Sequence, residues 1–205
     1  LLLTFFLRQM SELLDRGHIY IAQPPLYKIS QGKQAQYLKD DTALTEFLTQ
    51  NALEDSSLHV NAEAPGIGGS ALETIVKNYR RVMAMIERMS RVYPDVALDA
   101  MIYIDKLNLE ELDSQQVVDN WCANLQARLN IDERSGSHRY NITTAEDKER
   151  HIYLPLIQIV GHGVSTDYHF TRDFFVSGEY QAIVGLGAQI NDLVEEGAYV
   201  RRGEK

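Results

Sequence analysis

Between Ser70 and Pro94 the sequence carries about seven helical turns with two chemically opposed faces. Any fold containing them must supply a core for one face and water or a charged partner for the other. At 100° per residue, Leu72, Ile75, Val76, Tyr79, Val82, Met83, Ile86 and Met89 share one side. Lys77, Arg80, Arg81, Arg88 and Arg91 fall within an arc of about 100° on the opposite side. Ser70 and Glu73 have the spacing of a capping box, which predicts a helix start there, and Pro94 predicts a stop after Tyr93.

Five cations on one helix face matter because the whole chain has a formal net charge of −9 over 205 residues. That balance argues against a protein that coats a phosphate backbone with its entire surface, so any nucleic-acid contact has to be local. The stripe can receive a phosphate backbone or an acidic partner surface. It can equally be a solvated face over a core helix, helped by Glu73 and Glu87. With 44% apolar residues and no low-complexity segment or internal repeat, the chain can bury a real core. A single cysteine, Cys122, excludes an internal disulfide and a cysteine-built zinc site, which fits a reducing cytoplasm.

Leu2, Leu3, Phe6, Leu7, Met10, Leu13 and Leu14 recur at spacings of three and four, predicting one helix that ends at a left-handed Gly17. The opening apolar run has no basic region before it and no cleavage site after it, and falls far short of the roughly 18 residues of a membrane span. It begins without an initiator methionine, as a piece cut from a longer protein would. A strand is predicted at His18–Ala22, ended by Pro24-Pro25, and then a hairpin of 26–29 and 36–38 turning around Gln31-Gly32-Lys33. Further helices are predicted at 95–103, 114–129 and 179–195, the last weakened by Gly185 and Gly187. Strands fit 137–143 and 152–160, with Pro155 placing the second at an edge or bulge, and the end is extended over 198–202. The order predicts an α+β chain, with residues 1–40 forming one flank of an α/β domain and 41–205 a separate unit of mixed helices and strands.

Two stretches resemble a known family: Leu1-Leu2-Leu3-Thr4-Phe5-Phe6-Leu7-Arg8-Gln9-Met10, and Arg16-Gly17-His18-Ile19-Tyr20-Ile21-Ala22-Gln23-Pro24-Pro25-Leu26-Tyr27-Lys28. They are similar to the B subunit of bacterial DNA gyrase, a type II topoisomerase, directly after the acidic metal-binding motif of its Toprim domain. The topoisomerase IV B subunit shares much of this segment. The long continuation after Lys28, with His162-Gly163-Val164-Ser165-Thr166-Asp167-Tyr168 and Gly178-Glu179-Tyr180, resembles the insertion of the Gram-negative gyrase subunit and favours gyrase.

The resemblance implies the end of a Toprim domain joined to an insertion that braces the DNA gate. The implied partners are DNA, the gyrase A subunit in an A2B2 assembly and the rest of the B subunit, with no membrane. Magnesium and ATP are implied for the whole enzyme. The metal-binding carboxylates lie upstream of Leu1 in the family pattern, the ATP site in another domain and the tyrosine nucleophile in the A subunit. No catalytic or metal-binding residue is therefore assigned here, and the isolated chain is expected to be inactive. Lys28 and Lys33, flanking the hairpin turn, join the stripe as candidate DNA or partner contacts, against the simpler role of blunting a sheet edge.

Three other patterns are set aside. Gly66-Ile67-Gly68-Gly69-Ser70 lacks the ending of a phosphate loop and reads as a glycine-rich helix entry. His162, Asp167 and His169 lack diagnostic metal-ligand spacing, and Cys122, beside Trp121 in an apolar helical run, reads as packed.

Overall fold

The computed structural model describes all residues except 33, 132–137, 162, 192, 194–196 and 204–205. It is an α+β chain whose contacts divide it into two units, Leu1–Ala52 and Leu53–Lys205. The division expected from sequence lies earlier, between residues 40 and 41.

The first unit opens with two short helices, α1 (Leu2–Gln9) and α2 (Ser11–Asp15), where the apolar period predicts one. Met10 leaves the helical region at φ −143°, ψ 48°. The break is invisible in sequence because the apolar spacing continues in phase across it. Gly17 does cap the second helix, at φ +67°. Its N–H donates to Leu14 O and that of His18 to Leu13 O, the paired bonds of a left-handed glycine cap.

No strand forms at His18–Ala22. Tyr20 and Ile21 lie 87% and 72% exposed, and branched residues alone make no ladder without a neighbouring strand. The hairpin does form, from β1 (Tyr27–Gln31) and β2 (Gln34–Leu38) around Gly32 at φ +62°. Helix α3 (Asp41–Leu53) follows, with the Asp40 carboxylate accepting from Ala43 N at 2.9 Å. The Tyr27 hydroxyl donates to the Asp41 carboxylate, and that bond raises its pKa.

The second unit holds two three-stranded antiparallel sheets and most of the helices. In the smaller sheet, β3 (Ser56–His59) lies between β4 (Ile67–Gly68) and β8 (Tyr199–Arg202). Helix α4 (Gly69–Met89) springs directly from β4, so Gly68 is its N-cap and Gly69 takes φ +59°. The expected capping box is therefore absent: Ser70 sits inside the first turn, and Glu73 pairs with Lys77 instead. The helix also ends before Tyr93, with Ser90 as its cap, and Pro94 starts α5 (Asp95–Ala100). A 3₁₀ turn at Met101–Tyr103 completes what the sequence predicts as one helix. Helix α6 (Gln115–Ile131) falls where it is expected.

The larger sheet runs β5 (Arg139–Asp147), β6 (Ile152–Gly161), β7 (Val164–His169), with β6 in the centre. Pro155 thus lies inside a central strand, against expectation. Its carbonyl accepts from Phe170 N on the β7 side, one residue past the end of β7. The missing N–H on that side is aimed beyond the ladder and costs no strand bond. Strand β7 escapes sequence reading because, Tyr168 apart, its side chains are exposed and leave no apolar alternation to mark it.

Two further helices follow, α7 (Arg172–Val176) and α8 (Gly178–Ile190), capped by Thr171 and Ser177 side chains. The latter ends at Ile190 and not at 195. Tyr93, Phe170, Phe174, Phe175, Tyr180 and Trp121 form a chain of ring contacts through the core. Tyr180 is fully buried, and its hydroxyl accepts from Leu107 N at 2.8 Å.

The two α8 glycines have different reasons. A Cβ on Gly187 would come within 2.0 Å of Ile102 O, so the helix packs there only without a side chain, whereas one on Gly185 meets nothing within 4 Å. Gly187→Ala is expected to destabilise the protein by about 1–3 kcal/mol. Gly185→Ala is expected to stabilise it by up to about 1 kcal/mol. Midpoints of denaturant unfolding check both.

Candidate nucleic-acid interface

The position of α4's cations follows from what its other side buries. Leu72, Val82 and Ile86 are in the core, and Ile75, Met83 and Met89 are half-buried against it. Tyr79, placed on the same side by its period, stays 38% exposed. Asn78 donates to Gln189 Oε1 on α8 at 2.6 Å and fixes the helix's rotation.

With that face held, Lys77, Arg80, Arg81, Arg88 and Arg91 all reach solvent. Lys77 to Arg88 spans about 16 Å of helix axis. Lys77 Nζ lies 2.7 Å from Glu73 Oε1, an exposed i,i+4 pair of the kind that contributes little and yields to a stronger anion. One Arg81 Nη donates to Asn78 Oδ1 at 3.1 Å, which orients the guanidinium. Arg91 lies past the helix end, in the turn before Pro94, so the helical period no longer sets its direction.

Lys28 belongs to the first unit. It stands opposite Tyr37 in the hairpin, its ammonium 5.7 Å from the ring centroid, a cation–π contact across the pair. Lys33 lies outside the described residues, as does His162. Arg201 on β8 is a further exposed cation that the sequence candidates omit. The alternation Tyr199-Val200-Arg201 is the available signal.

Among the described residues no group of three or more His, Cys, Asp or Glu side chains is arranged to hold a metal ion. Asp167 instead accepts from Gln158 Nε2 at 3.0 Å across β6 and β7. The glycine-rich run is taken up by β4 and the start of α4. Cys122 is buried beneath β5, its thiol facing Thr143 O and Thr144 Oγ1, and desolvation pushes its pKa up to about 11. A thiol so held stays protonated at neutral pH and is a poor nucleophile. No described helix is long and apolar enough to cross a membrane.

The family model described as "DNA gyrase B subunit insert domain" matches residues 56–205, and "GyrB, hook" matches 25–53. The chain belongs to the DNA gyrase B subunit family. It is 44% identical over 99 residues to the DNA gyrase B subunit of Caulobacter vibrioides, covering 48% of this chain and 12% of that protein. The B subunit from Rickettsia prowazekii is 28% identical over 173 residues, 84% of this chain and 19% of that protein. That of Campylobacter jejuni is 44% identical over 95 residues, 45% and 12% respectively. The matched stretches cover under a fifth of the length of these relatives. These matches favour gyrase over topoisomerase IV. The junction at 53–56 between the two family segments falls beside the division between the units, so the second unit coincides with the gyrase insert segment.

Burial sets two alkaline responses. The ordinary thiol pKa of 9.0 is raised to about 11 at Cys122, and desolvation raises the Tyr180 phenol from 10.0 to about 12. Above pH 9 the unfolded chain releases these protons first, so stability is expected to fall as pH rises through these windows. Denaturation midpoints measured from pH 8 upward check the sign. Tyr180→Phe is expected to remove the upper part of the slope and to cost about 1–3 kcal/mol at neutral pH, because Leu107 N–H loses its buried acceptor.

Proposed function

We propose that this chain is the hook and insert portion of a gyrase B subunit and that the cationic face of α4 holds the DNA backbone. The carrying observation is the stripe itself: Lys77, Arg80, Arg81 and Arg88 are all exposed on a helix whose opposite face is locked in the core. On a chain of net charge −9 this is a local site, suited to phosphates at one place and to repulsion elsewhere. In the whole enzyme, an A2B2 assembly that uses ATP and magnesium to supercoil DNA in the cytoplasm, the insert braces the Toprim domain and the A subunit at the DNA gate. The reactive groups belong to other parts of that assembly. The net charge favours a second reading, in which the insert touches only protein.

Charge reversal separates the two. Arg80→Glu, Arg81→Glu and Arg88→Glu together are expected to weaken duplex binding and to lower the slope of log affinity against log salt by about 2–3, near 0.9 for each lost phosphate contact. Unchanged DNA affinity with impaired assembly on the A subunit would make the stripe a protein contact and overturn its DNA reading. In the whole B chain, removal of residues 41–200 is expected to impair DNA binding and supercoiling; intact activity would count decisively against the bracing role.

A further inference from the structure

The small sheet carries a feature that α4 does not use. His59 on β3 and Tyr199 on β8 stand directly opposite each other, their rings stacked with centroids 4.8 Å apart and planes 3° from parallel. His59 is fixed from behind. Its Nε2 lies 3.1 Å from Ser57 Oγ, its Nδ1 lies 3.3 Å from Ala64 O, and a Cβ on Gly66 would come within 2.8 Å of the ring. One face of Tyr199 is therefore covered by a ring that cannot easily move. The other face looks outward: β8 is the edge strand of its sheet, and Tyr199 remains 42% exposed.

Arg201 is two residues along the same strand, so it projects from the same sheet face about 7 Å away. It is exposed and stands opposite Ser57, whose other cross-strand neighbour is Gly68, so its neighbours across the ladder are small. An aromatic face beside a cation on a strand edge is the arrangement by which proteins hold unpaired nucleotides: the ring stacks on the base and the cation meets the phosphate.

We propose that Tyr199, backed by His59, takes an unstacked base of DNA on its outward ring face, with Arg201 holding an adjoining phosphate. A cationic protein segment is disfavoured here because Arg201 repels it, and an apolar one because it would strip Arg201 of water without supplying a counter-charge. The assignment rests on the reading that this chain meets DNA, but not on α4 being the duplex contact.

The test uses the whole chain and a short single-stranded oligonucleotide carrying 2-aminopurine, whose fluorescence falls when the base stacks. Quenching on binding is expected. Tyr199→Leu should abolish the quench and weaken single-strand binding by about tenfold. Tyr199→Phe and Tyr199→Trp should preserve both. Arg201→Gln should weaken binding and its salt dependence while leaving the quench at saturation. Circular dichroism confirms that each variant folds. A folded Tyr199→Leu protein that binds and quenches as the parent does would overturn the proposal. So would one that keeps oligonucleotide binding but loses the gyrase A subunit, which would assign the ring to a protein contact. If reversing the α4 arginines leaves duplex affinity unchanged while the Tyr199 effects appear, the α4 reading fails and this one stands.

Discussion

Leu72, Val82 and Ile86 are almost wholly withdrawn from solvent, and what the opposite side of α4 offers depends on their staying so. Each such side chain contributes about 1.5–3 kcal/mol by leaving water. Rolling the helix to turn its cations inward would forfeit that contribution and desolvate four charges, so the stripe has one orientation. The Asn78 bond to Gln189 adds a polar stop to the rotation. A cation face made rigid in this way meets a regularly spaced anion without first having to order its own backbone.

The helix against which α4 rests is itself positioned by two close contacts. Gly187 lets α8 approach the carbonyl of Ile102, and Tyr180 carries its hydroxyl into the core to satisfy the backbone of Leu107. The first works by omitting a side chain and the second by burying a polar group with its partner already in place. Trp121 follows the same rule as Tyr180, its indole N–H donating to Asp105 O at 2.9 Å. Such pairings let a core rich in rings bury polar groups with their partners in place.

Both sheets of the second unit end in exposed strands, β7 and β8, and an exposed strand edge invites pairing with other chains. Strand β7 carries Asp167 and polar neighbours there, while β8 carries arginines and an aromatic ring backed by histidine. Polar and charged side chains discourage indiscriminate pairing at both edges. On β8 they also make a surface of definite chemistry.

The phase of α4, and with it the identity of both its faces, was legible from residues 70–93 because a helix is closed by bonds between near neighbours and repeats its period locally. The same locality made Gly17 and the Gly32 turn legible. It failed at Met10, where two helices share one phase, and at Gly68, where pairing with β3 displaced the expected capping box. Strands β3, β7 and β8 are held by partners outside their own segments, so nothing in Ser56–His59 announces that His59 will stack on Tyr199. The amino-acid order by itself determined the buried and displayed faces of α4, Tyr79 and Arg91 apart, since that needs only the helical period. Tertiary structure alone decided which strands meet, where Pro155 is harmless and which ring backs Tyr199, because non-local backbone pairing leaves no periodic trace in the chain that makes it.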